Sequence, residues 1–408
     1  MPPVAKSTRS ARSSRSRALL ATLRGCDEES GLLHPPAPQS QLLERREAGI
    51  FGGESVLWER RRLTPVPESQ GGFNLLIARP RSMAGKMPAV LVMHPTGKCK
   101  EFMASRLERL AKKGLIAVAF DAPWHGERAI PEAGLRSLSL QNLGPELLKE
   151  LGKHEAVRLN VYFEALVRGF RTGSDRFVMD ISRDALTVVD YLCSRPDTLQ
   201  ERISATGVSL GGMACWLLAA ADARIFSAMP AIGVQSFNHS LVNGLWGARV
   251  DSIRPAFEAA AADMKKAAVD DDVVAAVWAR LAPGIAEVDS SKKLAFDAPL
   301  TLPCIAPRHL LILNGEKDPR CPLEGVHQSF AAAREAYDEE GQLDRLQIFV
   351  EKDVEHAMTE KMWQKIEEFL EATLQLGLPA PKLYPQLCGI SLHNVVCADF
   401  WRRLLPCC

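Results

Sequence analysis

Two hydrophobic rhythms alternate along the chain. Short, near-continuous apolar runs predict strands at Phe73–Ala78, Ala89–Met93, Leu115–Phe120, Ile203–Val208, Ile225–Ile232, His309–Leu313 and Leu346–Val350. Between them, apolar residues recurring every three to four positions predict helices over 101–113, 175–194, 211–222, 325–340 and 359–376. In 175–194 the spacing is regular, with Phe177, Ile181, Ala185, Val188 and Leu192 on one face and Pro196 as the stop. Strand followed by helix, repeated, predicts an α/β architecture of three layers: a mostly parallel sheet with helices on both faces. An apolar run such as LIAVAF suits a strand buried on both sides.

Two stretches break the alternation, 127–174 and 233–308, and both are too long for simple connections. The second holds helical patterns over 252–268 and 271–281, separated by the acidic turn Asp270–Asp272 and closed by Pro283 and Gly284. Insertions at the carboxyl edge of such a sheet lie over the place where ligands bind. They read as cap elements, with plain scaffolding as the competing account. The pattern thus divides the chain into a leader at 1–49, a domain at 50–377 and a tail at 378–408 outside the fold. The tail has four cysteines and several prolines but no periodic element.

Composition narrows the function. The 408 residues carry 50 basic and 49 acidic side chains, a balance that disfavours a nucleic-acid partner, since phosphate tracking needs clustered positive charge. The longest apolar run, Met213–Ala221, is nine residues, against about 20 for a membrane span, so none is expected. The balance is uneven, however: Lys6, Arg9, Arg12, Arg15, Arg17 and Arg24 precede the first acid, Asp27. A basic, acid-free start resembles a chloroplast or mitochondrial transit peptide; a disordered basic tail on a cytoplasmic protein is the alternative. No C-x-x-C pair occurs, and the scattered cysteines read as reduced thiols.

The chemistry begins at Gly207-Val208-Ser209-Leu210-Gly211-Gly212, a G-x-S-x-G between a predicted strand and a predicted helix. Gly207 and Gly211 allow the tight turn that lifts the Ser209 hydroxyl above the sheet edge. A serine needs a base held by an acid. After the strand at His309–Leu313 comes Asn314-Gly315-Glu316-Lys317-Asp318-Pro319, with Asp318 as candidate acid and Glu316 as the fallback; after Leu346–Val350 comes His356 as candidate base. The oxyanion of a tetrahedral intermediate needs donors. One is the Leu210 N–H; the other comes from His94-Pro95-Thr96-Gly97, where Pro95 has no N–H, so Thr96 is the candidate, Gly97 the alternative, and His94 orients the loop. In Asp121-Ala122-Pro123-Trp124-His125, Asp121 is expected to tie down the turn, and Trp124 and His125 to wall the pocket. His94, Asp121 and His125 lack metal-ligand spacing, and neither a metal nor a cofactor is implied.

In chain order, HPTG, DAPWHGER, GVSLGG, NGEKDPRCP and VEHAM resemble the α/β-hydrolase superfamily, in its dienelactone-hydrolase-like and prolyl-oligopeptidase-like (S9) branch, including uncharacterised plant members. The resemblance covers about residues 50–377 and implies an eight-stranded, mostly parallel sheet. It also implies Ser209, Asp318 and His356 as nucleophile, acid and base for ester, thioester or amide hydrolysis. Dienelactone hydrolases proper carry a cysteine where Ser209 stands. Only about 70 residues precede the first predicted strand, too few for the β-propeller of prolyl oligopeptidases. The expectation is therefore a carboxylesterase-like serine hydrolase, or a serine peptidase-like one, acting on a small or medium acyl substrate. Acyl transfer by the same residues and ligand binding without turnover are the competing functions.

Overall fold

The computed structural model describes residues 8–26, 36–47, 49, 55–65, 71–82, 85–129, 139–174, 176–285 and 295–376. Its strands are β1 (Gln39–Arg46), β2 (Val56–Thr64), β3 (Phe73–Pro80), β4 (Met87–Met93), β5 (Ile116–Phe120), β6 (Thr198–Val208), β7 (Ile225–Ala231), β8 (His309–Gly315) and β9 (Leu346–Glu351). They form one sheet in the order β1-β2-β3-β5-β4-β6-β7-β8-β9. The first three pairings are antiparallel and every pairing from β5 to β9 is parallel.

Helices cover both faces: α1 (Arg9–Arg24), α2 (Ala104–Lys112), α3 (Pro145–Lys153), α4 (Glu155–Thr172), α5 (Phe177–Ser194), α6 (Leu210–Ala221), α7 (Phe237–Val242), α8 (Gly247–Ser252), α9 (Arg254–Asp263), α10 (Asp271–Leu281), α11 (Ala298–Thr301), α12 (Leu323–Glu339) and α13 (Glu360–Leu374). Because side chains alternate along a strand, Leu75, Ile77, Leu91, Met93 and Val118 pack toward α1, α5, α6 and α12. Their neighbours Leu76, Ala78, Val90, Val92 and Ala117 pack toward α2 and α13. Every residue of α6 is buried, as its all-round apolar sequence requires.

The sheet has nine strands where eight were expected, and β1 and β2 were not foreseen. β1 is an exposed edge strand, QSQLLERR, whose polar outer positions give no alternation to read. It also falls inside the supposed leader. So does α1, which corrects the expectation of disorder over 1–49: Leu19 and Leu23 are fully buried, and the Ser16 hydroxyl donates to the Ala220 carbonyl at 2.8 Å. Arg24 makes a two-pronged pair with Asp190 at 2.6 and 2.9 Å. The acids that balance the basic segment lie far away in sequence, at Asp190, Glu339 and Glu340. The tail at 378–408 lies outside the described residues.

The described parts of the two insertions supply α3, α4 and α7 to α11, and α4 packs against α9 and α10. Trp278 of α10 anchors this layer, with the rings of Phe177, Phe237 and Phe257 at 5.0 to 5.7 Å. Asp297 pins it to the sheet edge by accepting the N–H groups of Phe237 and Asn238 at 3.0 Å, just beyond the exit of β7. Among the described residues no helix is long and apolar enough to cross a membrane, and the cysteines there are free thiols.

Candidate active site

Ser209 sits between the last residue of β6 and the first of α6, at φ 53° and ψ −108°. Positive φ is strained for a residue with a side chain, at a cost of about 1–3 kcal/mol, and the surroundings hold it there. Its N–H donates to the Ala231 carbonyl at 2.9 Å, and its own carbonyl accepts from Met213 at 2.8 Å. The flanking glycines are steric requirements. A Cβ on Gly207 would lie 2.3 Å from the Gly211 carbonyl oxygen, and one on Gly211 would lie 2.3 Å from that of Met93. The second contact also presses the end of β4, and so the loop from His94 to Gly97, against the turn that carries Ser209.

Three side chains from three strand ends meet in a row. Ser209 Oγ lies 2.8 Å from His356 Nε2, and His356 Nδ1 lies 2.7 and 2.9 Å from the two oxygens of Asp318. Asp318 Oδ1 also accepts the N–H groups of Arg320 at 2.8 Å and Cys321 at 3.0 Å. A carboxylate at Nδ1 keeps the proton on that nitrogen and leaves the Nε2 lone pair facing the serine. Burial lowers the His356 pKa below 6.5, and the Asp318 hydrogen bond only partly offsets this. Burial works the other way on Asp318, but the His356 hydrogen bond and charge and the two N–H groups outweigh it, holding its pKa below the usual value. At neutral pH the row is therefore a neutral imidazole beside an ionised carboxylate, the state in which Nε2 can take a proton. Glu316, the fallback acid, instead accepts the Asp353 N–H at 2.9 Å in an exposed turn.

Leu210 opens α6, so its N–H has no partner within the helix. Pro95 to Lys98 form a turn closed by the Lys98 N–H and the Pro95 carbonyl at 3.2 Å. Thr96 is half-buried in that turn, and Gly97 takes φ 79° with Leu159 of α4 packed against it. His94 is buried behind the turn. Its Nε2 accepts the Ala122 N–H at 2.9 Å, so Nδ1 carries the proton and donates to the Pro95 carbonyl at 2.8 Å, locking loop and turn together.

Asp121 is not brought to the row. It accepts the Lys100 N–H at 2.9 Å, the Lys100 ammonium at 2.7 Å and the Glu127 N–H at 3.1 Å. Trp124 lines a crevice with Ala122, Tyr162, Leu166 and Leu210. His125 does not line it: the ring lies behind, 4.4 Å from Tyr162 and 5.2 Å from His94 between centroids. With His94 and His125 each hydrogen-bonded to backbone carbonyls, the pair does not converge on a metal with Asp121. Sequence reasoning missed Lys100, Tyr162 and Arg249, the last of which reaches the Asp318 loop from α8. No motif marks them, since their significance comes from burial.

In a sequence comparison with family models, the alpha/beta hydrolase family matches residues 90–368. No curated protein matches the chain. Among solved structures, acetyl xylan esterase 1 from Thermoanaerobacterium sp. aligns at TM-score 0.57 and 14% identity, covering 91% of this chain and 96% of that one. An acetyl xylan esterase from Paenibacillus sp. R4 aligns at 0.55 and 16%, covering 91% and 96%. A glucuronoyl esterase from Solibacter usitatus aligns at 0.53 and 15%, covering 88% and 91%. At these identities the likeness is one of fold.

Proposed function

Since the chain belongs to the α/β-hydrolase family, we propose that it is a serine hydrolase that cleaves a small or medium acyl ester through an acyl-enzyme. The observation that carries the reading is the 2.8 Å contact between Ser209 Oγ and His356 Nε2, made by a serine held at positive φ above the sheet edge. Esters are the proposed linkage because the structural neighbours named above are esterases.

Ser209 Oγ attacks the acyl carbonyl as His356 Nε2 takes its proton, and Asp318 stabilises the imidazolium. The N–H groups of Leu210 and Thr96, or Gly97 in place of Thr96, hold the developing oxyanion. Each such donor is worth about 10²–10³ in rate. His356 then returns the proton to the leaving alcohol and activates the water that releases the acyl group.

A fluorophosphonate probe is expected to label the wild type and not Ser209→Ala, and the same substitution is expected to abolish hydrolysis of p-nitrophenyl acetate and butyrate. Equal labelling of the two proteins sinks the mechanism.

A further inference from the structure

Buried arginines need something to balance their charge, and most in this structure have it. Arg12 faces Glu339 and Glu340, Arg24 faces Asp190, and Arg195 faces Asp197. Arg158 has no acid among the described residues and its Nε and Nη1 are buried without a partner, but its Nη2 donates to the Leu151 carbonyl in the last turn of α3, where the helix dipole is negative. Arg249 has neither an acid nor a helix C-terminus to balance it, and it lies against the Asp318 loop. It is 4% exposed, and among the described residues no carboxylate forms an ion pair with it. Its Nη2 has only the Arg320 carbonyl at 3.3 Å and the Cys321 sulfur at 3.5 Å, while Nε is buried without a partner.

The position of this charge ties it to the reaction site. Arg320 and Cys321 are the residues whose N–H groups hold Asp318. The Arg249 charge also reaches both His356 and Tyr162: it adds to the burial that lowers the His356 pKa, and it opposes, without cancelling, the rise that burial gives the Tyr162 hydroxyl. Tyr162, on α4, lines the crevice beside Leu210, and its buried hydroxyl is likewise without a partner. One unbalanced cation and two orphan donors, Arg249 Nε–H and Tyr162 Oη–H, thus flank the row from the insertion side. What satisfies donors is an acceptor, and what balances a guanidinium is an anion; a planar carboxylate does both.

We infer that the ester substrate carries a carboxylate, bound by the Arg249 guanidinium with the Tyr162 hydroxyl as second donor. The inference rests on the esterase reading above for the word ester, but not for the anion site. An apolar or merely hydroxylated substrate leaves the buried charge unbalanced, so Arg249 acts as a specificity-determining residue.

The test compares matched esters. Mono-p-nitrophenyl glutarate against p-nitrophenyl pentanoate places the carboxylate on the acyl side; 4-acetoxyphenylacetate against 4-acetoxyphenylacetamide places it on the leaving group. In the wild type the anionic member of one pair is expected to have the higher kcat/KM by about tenfold or more, and which pair shows it identifies the side. Arg249→Met is expected to remove the preference and Arg249→Lys to keep part of it; the lysine variant serves if the methionine variant does not fold. Turnover of neutral esters with no anion preference in either pair overturns the inference and leaves the esterase reading standing. A preference that survives Arg249→Met overturns it too. A readout free of turnover is the melting temperature of Ser209→Ala with glutarate or 4-hydroxyphenylacetate, expected to rise only when Arg249 is present. If no ester is cleaved, an Arg249-dependent rise supports the anion site although the esterase reading falls, and no rise overturns the site as well.

Discussion

Asp121, just past β5, and Asp318, in the turn after β8, are both buried carboxylates at the carboxyl edge of one sheet, and each accepts two backbone N–H groups and a side-chain nitrogen. Their hydrogen-bond chains end differently. The partner of Asp121 is Lys100, fully buried, whose ammonium also meets Glu101 at 2.8 Å and Glu127 at 3.0 Å; Glu127 in turn meets Arg60 at 2.7 Å, so the network is closed by ion pairs. The partner of Asp318 is His356, whose other nitrogen faces the Ser209 hydroxyl beside the crevice. A buried charge at a strand end is thus no sign of chemistry by itself. What separates the network proposed to react from the fastening one is that its chain of hydrogen bonds ends on a serine hydroxyl and not on a further ion pair.

The comparison breaks first at the aspartates themselves. Asp318→Asn keeps the shape but stabilises the wrong histidine tautomer, and kcat is expected to fall by about 10⁴. Asp121→Asn is expected to lower stability while leaving kcat per folded molecule within a few-fold. Steady-state kinetics normalised to active sites decide it: similar losses of kcat in the two variants erase the distinction.

Lys100→Met probes the closed network from its centre. Removing the cation strands the Asp121 and Glu101 carboxylates in one buried site, while Glu127 keeps Arg60, at a cost of about 3–5 kcal/mol in urea unfolding. A cost below about 1 kcal/mol would mean that the cluster is solvated and not closed.

A third buried carboxylate, Asp190 in α5, has two guanidinium partners, Arg24 of α1 and Arg224 at 2.8 Å. Losing one leaves the other, so Arg24→Met is expected to cost less than Lys100→Met, about 1–3 kcal/mol. The variant also tests whether α1 is docked in solution. Amide exchange in 9–24 is expected to be slow in the wild type and faster in Arg24→Met.

What the sequence made legible follows the same division. The turn around Ser209 could be read because its constraints are local: Gly207 and Gly211 are each forced by backbone atoms within the motif or the adjoining strand. Asp318 and His356 were legible by their order after strands, although only geometry chooses Asp318 over Glu316. The closed networks were not legible. Lys100 reads as a loop lysine, the arginines of α1 as a leader and β1 as a polar lead-in, because the partners that bury or balance them are remote in sequence. Arg249 is the extreme case, since neither its burial nor its lack of an acid leaves a trace in the residues around it.

The smallest effect sharpens the comparison most, because acid separates the two aspartates along one axis. The proposed reaction needs His356 neutral, and burial places its pKa below 6.5, so kcat/KM is expected to fall as pH drops through that lowered value and to be flat at neutral pH. Asp121 behaves otherwise. Burial alone raises its pKa, but the Lys100 charge prevails and holds it below the ordinary 3.8. A depressed carboxylate contributes stability that is complete above its unfolded pKa and lost only as pH falls through the folded value. The urea-midpoint difference between wild type and Asp121→Asn is therefore expected to stay constant down to about pH 4, across the range in which activity disappears. Arg249→Met adds a control on the same axis: without that cation the acid limb of kcat/KM moves to higher pH, toward the ordinary histidine value. Coincident acid limbs for activity and for the Asp121 contribution would show that one titration governs both networks.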